Sequence, residues 1–144
     1  MSLKPYPEGN IYYPFNAVDD DGNIHRGIDI TSGGSIANIT NAPVLAIAYG
    51  TVEWVQKWDG VTKSGTTMQT YGNCIRILHA NGYRSLYAHM NDAPTLNVGD
   101  TVVQGQTIGH VGSTGFSTGY HLHLEISYNG ELVDPCNYLT DSPD

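Results

Sequence analysis

The chain has 144 residues and a formal net charge of −8, with a pI of about 4.9. That acidity excludes the basic face that supplies most nucleic-acid affinity, and no run approaches the ~20 apolar residues of a membrane span. A domain of this length buries roughly 70% of its unfolded surface, and 17 Gly and 10 Tyr beside only 14% charged residues favour short strands and tight turns over helices.

Residues 1–9, with Pro5 and Pro7, read as an N-terminal tail; residues 10–140 read as one domain, and 141–144 as a C-terminal tail. The start lacks the apolar stretch of a signal peptide. The chain therefore either stays inside the cell or is the mature or excised portion of an exported protein. Ile28 and Ile30 flank Asp29 and put it on the polar face of an emerging strand. Segments 31–43 and 57–72, rich in Gly, Ser, Thr and Asn, read as long loops of the kind that build substrate walls. Between them, 44–48 is a short apolar run closed by Gly50, and 51–55 roughly alternates. Residues 73–79 pair with 83–89 across Asn81-Gly82, because both turn residues tolerate positive φ. A turn at 91–96 leads to two more strands, 98–103 and 106–111, around Gly105. A second Asn-Gly, Asn129-Gly130, joins 122–128 to 131–133, and 134–139 forms one helical turn with Pro135 at its first position. Cys74 and Cys136 form no Cys-x-x-Cys pair and read as two buried, unpaired thiols.

Chemistry concentrates in His and carboxylate residues. On a strand, residues two apart share a face, so His121, His123 and Glu125 line one side while Leu122, Leu124 and Ile126 line the other. His25 and Asp29 form a second cluster, with Gly27 between them allowing close backbone approach. A fold that joins the clusters makes a two-histidine, one-carboxylate site, the ligand set of a hydrolytic zinc centre with one position open to water. His25, Asp29, His89, His121 and His123 supply three ligands and two acid/base helpers, and counting alone does not say which two are free. Glu125, on the same face, reads as structural or solvated, with a partner that fixes a ligand's tautomer, or an alternative base, as the other readings. His79 and His110 read as structural. Asp19-Asp20-Asp21-Gly22-Asn23 lacks the spacing and terminal Glu of a calcium loop and reads as a solvated acidic turn.

Four segments together resemble the lysostaphin/LytM-type zinc metallopeptidases, endopeptidases that cut the peptide part of bacterial peptidoglycan. They are His25-Arg26-Gly27-Ile28-Asp29; Leu86-Tyr87-Ala88-His89; Val98-Gly99-Asp100 with Gly105-Gln106-Thr107-Ile108-Gly109; and the run from Gly112 through His121-Leu122-His123-Leu124-Glu125. The resemblance covers residues 24–139. It implies a mainly β fold, with antiparallel sheets in a barrel-like single domain of the duplicated-hybrid-motif type and long loops around a groove. It implies one Zn2+ per chain on His25, Asp29 and His123, with His89 and His121 as the catalytic pair. It makes 114–119 the loop leading into the site. It implies a peptidoglycan peptide as substrate and an extracellular or wall-associated place of action, with any targeting domain or partner lying outside this chain. Leu124 stands where the family often has Phe, and Met90 where it often has Leu; the run before His25 holds none of the Tyr found in some glycyl-glycine cutters. The alternative is a catalytically silent regulator or wall-binding module on the same fold. A carrier module, suggested by residues 98–106, lacks a nearby Lys to modify.

Overall fold

A computed structural model describes residues 2–3, 5–6, 10–18, 20, 22–31, 42–60, 71–115 and 120–140. Strands dominate these residues, as expected. They are β1 (Ser2–Leu3), β2 (Asn10–Tyr13), β3 (Ile28–Thr31), β4 (Pro43–Leu45), β5 (Gly50–Gln56), β6 (Asn73–Leu78), β7 (Tyr83–Met90), β8 (Thr101–Val102), β9 (Thr107–His110), β10 (Leu122–Tyr128), β11 (Glu131–Val133) and β12 (Leu139–Thr140). The main sheet has eight strands in the order β2-β3-β10-β7-β6-β5-β8, with β11 also beside β10, and every neighbouring pair is antiparallel. β3 and β11 share one side of β10, β3 against residues 122–124 and β11 against residues 126–128. β4 pairs with β9, and β1 with β12 in parallel.

Alternation decides which way the central strands face. Ile28, Ile30, Ile75, Ile77, Tyr87, Leu122, Leu124 and Ile126 point into one cluster and are almost wholly buried. Each such side chain contributes about 1.5–3 kcal/mol relative to exposure. Cys74, Leu86 and Ala88, their neighbours along the strands, form a smaller cluster on the opposite face with Trp54 and Tyr71. Both Asn-Gly turns form as expected: Asn81 and Gly82 take φ of 62° and 83°, and Asn129 and Gly130 take 49° and 87°. Gly27 is needed for close approach, since a Cβ there would stand 2.1 Å from the carbonyl oxygen of Leu124.

Three details differ from expectation. Within the segment read as a tail, β1 pairs with β12 and Tyr6 is buried in the main cluster, anchored where Leu45 N donates to the Pro5 carbonyl at 2.8 Å. Cys136 is exposed rather than buried, because it sits on the short 3₁₀ turn Pro135–Asn137 at the surface, where its N–H donates to Asp134 Oδ1 at 3.0 Å. Neither cysteine is in a disulfide, and burial pushes the Cys74 thiol up to about 12. The strands foreseen at 98–103 and 106–111 shorten to β8 and β9, short pieces flanking the Gly105 turn. Of the long loops, residues 32–41 and 61–70 lie outside the described residues, as do Asp19 and Asp21.

Candidate metal centre

The register of β10 against β3 brings the two sequence clusters together. His123 lies directly opposite Asp29 on β3, and opposite Ala88 on β7. His25 stands just before β3. Its N–H donates to the Ala17 carbonyl at 2.8 Å, and its Nδ1 donates to the Pro14 carbonyl at 3.0 Å. A carbonyl can only accept, so Nδ1 carries a proton, and Nε2 is the ring nitrogen that would turn its lone pair to a metal. That Nε2 lies 3.2 Å from Asp29 Oδ1, and His123 Nδ1 lies 2.9 Å from the same oxygen. The three donor atoms all fall within 4.8 Å of one another. Donors around a tetrahedral zinc with bonds of ~2.0–2.1 Å stand roughly 3.3 Å apart, so the spacing and the mixed imidazole–carboxylate set both suit that ion.

The other two predicted residues arrive at the same place. His121 Nε2 is 3.7 Å from Asp29 Oδ1, outside the tight trio. His89 reaches the site through a break in alternation that the sequence does not announce. Tyr87 and Met90 face the core and Ala88 the opposite side, so regular pleating would bury His89 in the core. Instead His89 takes φ of 60°, and the register against β6 slips by one residue. A β-bulge of this kind re-aims a side chain, and a non-glycine residue there costs about 1–3 kcal/mol. The result puts the His89 ring 4.9 Å from that of His121 and 6.0 Å from that of His123.

Hydrogen bonds then set the protonation states. His89 Nδ1 donates to the Thr114 carbonyl at 2.6 Å, while Thr114 Oγ1 donates to the Met90 carbonyl and accepts from Asn73 N. Thr114 thus clamps the bulge; residues 116–119 of the same loop lie outside the described residues. Burial, reinforced by the charges of His121 and His123, holds the His89 imidazole down to about 3, so it is neutral at neutral pH. Burial would raise the carboxyl of Asp29, but hydrogen bonds from His123 and His25 outweigh it and hold Asp29 far below the usual carboxylate range. Burial would likewise lower His123, yet its bonds to Asp29 and Glu125 push it up to about 9.

Glu125 corrects the expectation of a structural or solvated side chain. It is 6% exposed, and its Oε2 lies 2.9 Å from His123 Nε2. The same oxygen accepts from the Tyr71 hydroxyl and lies 3.7 Å from Arg26 Nε. A carboxylate on Nε2 fixes the tautomer in which Nδ1 of His123 presents its lone pair to a metal. Burial would raise this carboxyl, and its bond with His123 overcomes that and lowers it. Tyr71 was not foreseen: it comes from a segment read as loop, stacks on His123 at 5.8 Å, and has its phenol pushed far up by burial and Glu125. Tyr13, also unforeseen, lies 4.5 Å from the His25 ring. His79 stands apart, as expected, bonded to the Tyr49 carbonyl and Ser85 Oγ; His110 lies at the surface 3.6 Å from Asp92.

A sequence model of peptidase family M23 matches residues 23–135. The DD-carboxypeptidase/endopeptidase Mpg of Neisseria meningitidis is 36% identical over 121 residues, which are 84% of this chain and 24% of that protein. The murein hydrolase activator NlpD of Escherichia coli is 36% identical over 132 residues, 92% of this chain and 30% of that protein. The chain therefore spans about a quarter to a third of the length of these relatives. Among solved structures, the catalytic domain of the antimicrobial peptidase lysostaphin from Staphylococcus simulans superposes with a TM-score of 0.65 at 30% identity, covering 90% of this chain and 89% of that one.

Proposed function

The chain belongs to peptidase family M23, and from that membership and the site's geometry we propose that it is a zinc metalloendopeptidase hydrolysing peptide bonds in bacterial peptidoglycan, in a stem peptide or cross-bridge. The observation that carries this reading is the convergence of His25, Asp29 and His123 into one donor set beside His89 and His121. His25 through Nε2, Asp29 through Oδ1 and His123 through Nδ1 would hold one zinc ion per chain. Bound there, zinc supplies a Lewis acid and lowers the pKa of water to about 7.

The remaining residues handle protons. With Nδ1–H committed to Thr114, neutral His89 keeps Nε2 as an acceptor that orients the attacking water. His121, its ring 4.9 Å away, completes the pair, so that one imidazole takes the water's proton and the other donates to the carbonyl oxygen as it becomes tetrahedral. Acid/base help of this kind contributes ~10²–10⁴-fold. Residues 10–140 would be the catalytic domain, acting outside the cell or on the wall. Any targeting segment or partner would be outside the described residues.

One observation favours a second reading. NlpD is named an activator, so a silent regulator on this fold is the rival. Incubating the zinc-loaded chain with purified peptidoglycan, followed by mass spectrometry of the soluble fraction, separates the two. The peptidase reading expects fragments with matched new amino and carboxyl ends, lost on chelation and restored by zinc. A zinc-loaded chain that releases none would favour the rival.

A further inference from the structure

The face of the sheet that carries the metal centre continues into a second feature. A cavity of about 420 Å³ opens beside Glu125 and Tyr71 and is lined by Arg26, Arg76 and Arg84. These are all the arginines of a chain whose net charge is −8. Arg76 and Arg84 converge on one carboxylate oxygen: Glu53 Oε1 lies 2.8 Å from Nε of the first and 2.6 Å from Nε of the second. Arg76 also sits over the Trp54 ring, 5.5 Å from its centre. Among the described residues the two guanidiniums share that single carboxylate as ion-pair partner, so the trio carries a surplus positive charge. Arg26 is 63% exposed, and its neighbour Glu125 is already bonded to His123 and Tyr71. Guanidinium is the side chain best shaped to grip a carboxylate by paired donors.

Strand register sets how far this cavity lies from the chemistry. Arg84 is opposite Ser127, four residues along β10 from His123; Arg76 is opposite Leu86, which is opposite Glu125. With ~3.3 Å per residue and ~4.8 Å between strands, both backbones lie roughly 12–14 Å from that of His123. An extended peptide covers ~3.3–3.6 Å per residue. We propose that Arg76 and Arg84 form a carboxylate-binding subsite that selects peptides carrying a free acidic group about two to four residues from the scissile bond.

The proposal rests on the peptidase reading for its meaning, yet binding tests it without turnover. The probes are muramidase-released soluble peptidoglycan fragments and the same fragments with carboxylates converted to carboxamides by carbodiimide and ammonia. Calorimetric titration would use the full zinc-loaded chain carrying His121→Ala to block cleavage. Native fragments are expected to bind about tenfold tighter than amidated ones, with the ratio falling to near one when Arg76→Gln and Arg84→Gln are added. Arg84→Lys keeps charge and should retain part of the preference. Glu53→Gln releases both guanidiniums and should increase it, which a purely structural ion pair would not do. Circular dichroism checks each fold, and if the double variant does not fold, Glu53→Gln and Arg84→Gln alone decide. Equal or absent binding of the two fragment pools, or a ratio untouched by the arginine changes, overturns the subsite while leaving the peptidase reading to its own digestion assay.

Discussion

On one face of β10, Leu122, Leu124 and Ile126 are sealed from water inside the apolar cluster; on the other, His123 and Glu125, with His121 just before the strand, hold a web of ionisable groups. One continuous stretch of chain serves both faces, so neither can shift register without the other. The apolar face therefore anchors the site: a one-residue slip would turn three polar side chains into the core and expose three large apolar ones. Conversely, the polar face adds little packing, and its value lies in where it holds atoms. Changes on the two faces should thus have separable consequences, stability on one side and metal or turnover on the other.

The largest expected effect tests the outward-turned bulge. His89→Ala should lower kcat by ~10²–10⁴-fold, the range for a lost acid/base group, with zinc content unchanged; loss of the metal along with turnover would place His89 among the ligands instead. On the apolar face, Leu124→Ala should cost about 2–5 kcal/mol in urea unfolding, while the folded fraction still holds one zinc. If that variant lost zinc while remaining folded, the two faces would not be separable. Glu125→Gln comes next: weakening the fixed tautomer of His123 should reduce zinc affinity by ~10–100-fold, read by competition with a chromogenic chelator. Unchanged affinity would return Glu125 to a structural role.

The smallest effect is a proton count. In the zinc-free chain His123 is pushed up to about 9, so near pH 7 both ring nitrogens are protonated, toward Asp29 and Glu125. Metal needs the Nδ1 lone pair, while Nε2–H stays on Glu125. Zinc binding near pH 7 should therefore release about one proton from this ring, and release should fade once the pH passes well above 9, where the proton has already left. Calorimetry in buffers of different ionisation enthalpy measures it. No release at pH 7 would mean that His123 is already neutral.

The difference between the faces also explains what the sequence made legible. Leu122, Leu124 and Ile126 announce themselves by alternation, and the same alternation places His121, His123 and Glu125 together. Asp29 follows because Ile28 and Ile30 bracket it in the same way. The two Asn-Gly turns were readable from local chemistry, since positive φ is a property of those residues. The bulge at His89 was not, because it arises from the register of β7 against β6, a non-local pairing. Nor was Tyr71, whose contact with Glu125 spans 54 positions. Glu125 was visible on the correct face, but its role depends on Tyr71 and Arg26, which no spacing rule connects to it.

The division of labour between His121 and His123 is the claim on which the rest depends. Zinc content by atomic absorption, measured in parallel on folded His121→Ala and His123→Ala chains, tests it directly. The site geometry predicts about one zinc per chain in His121→Ala and none in His123→Ala. Zinc lost from His121→Ala and retained in His123→Ala would contradict it.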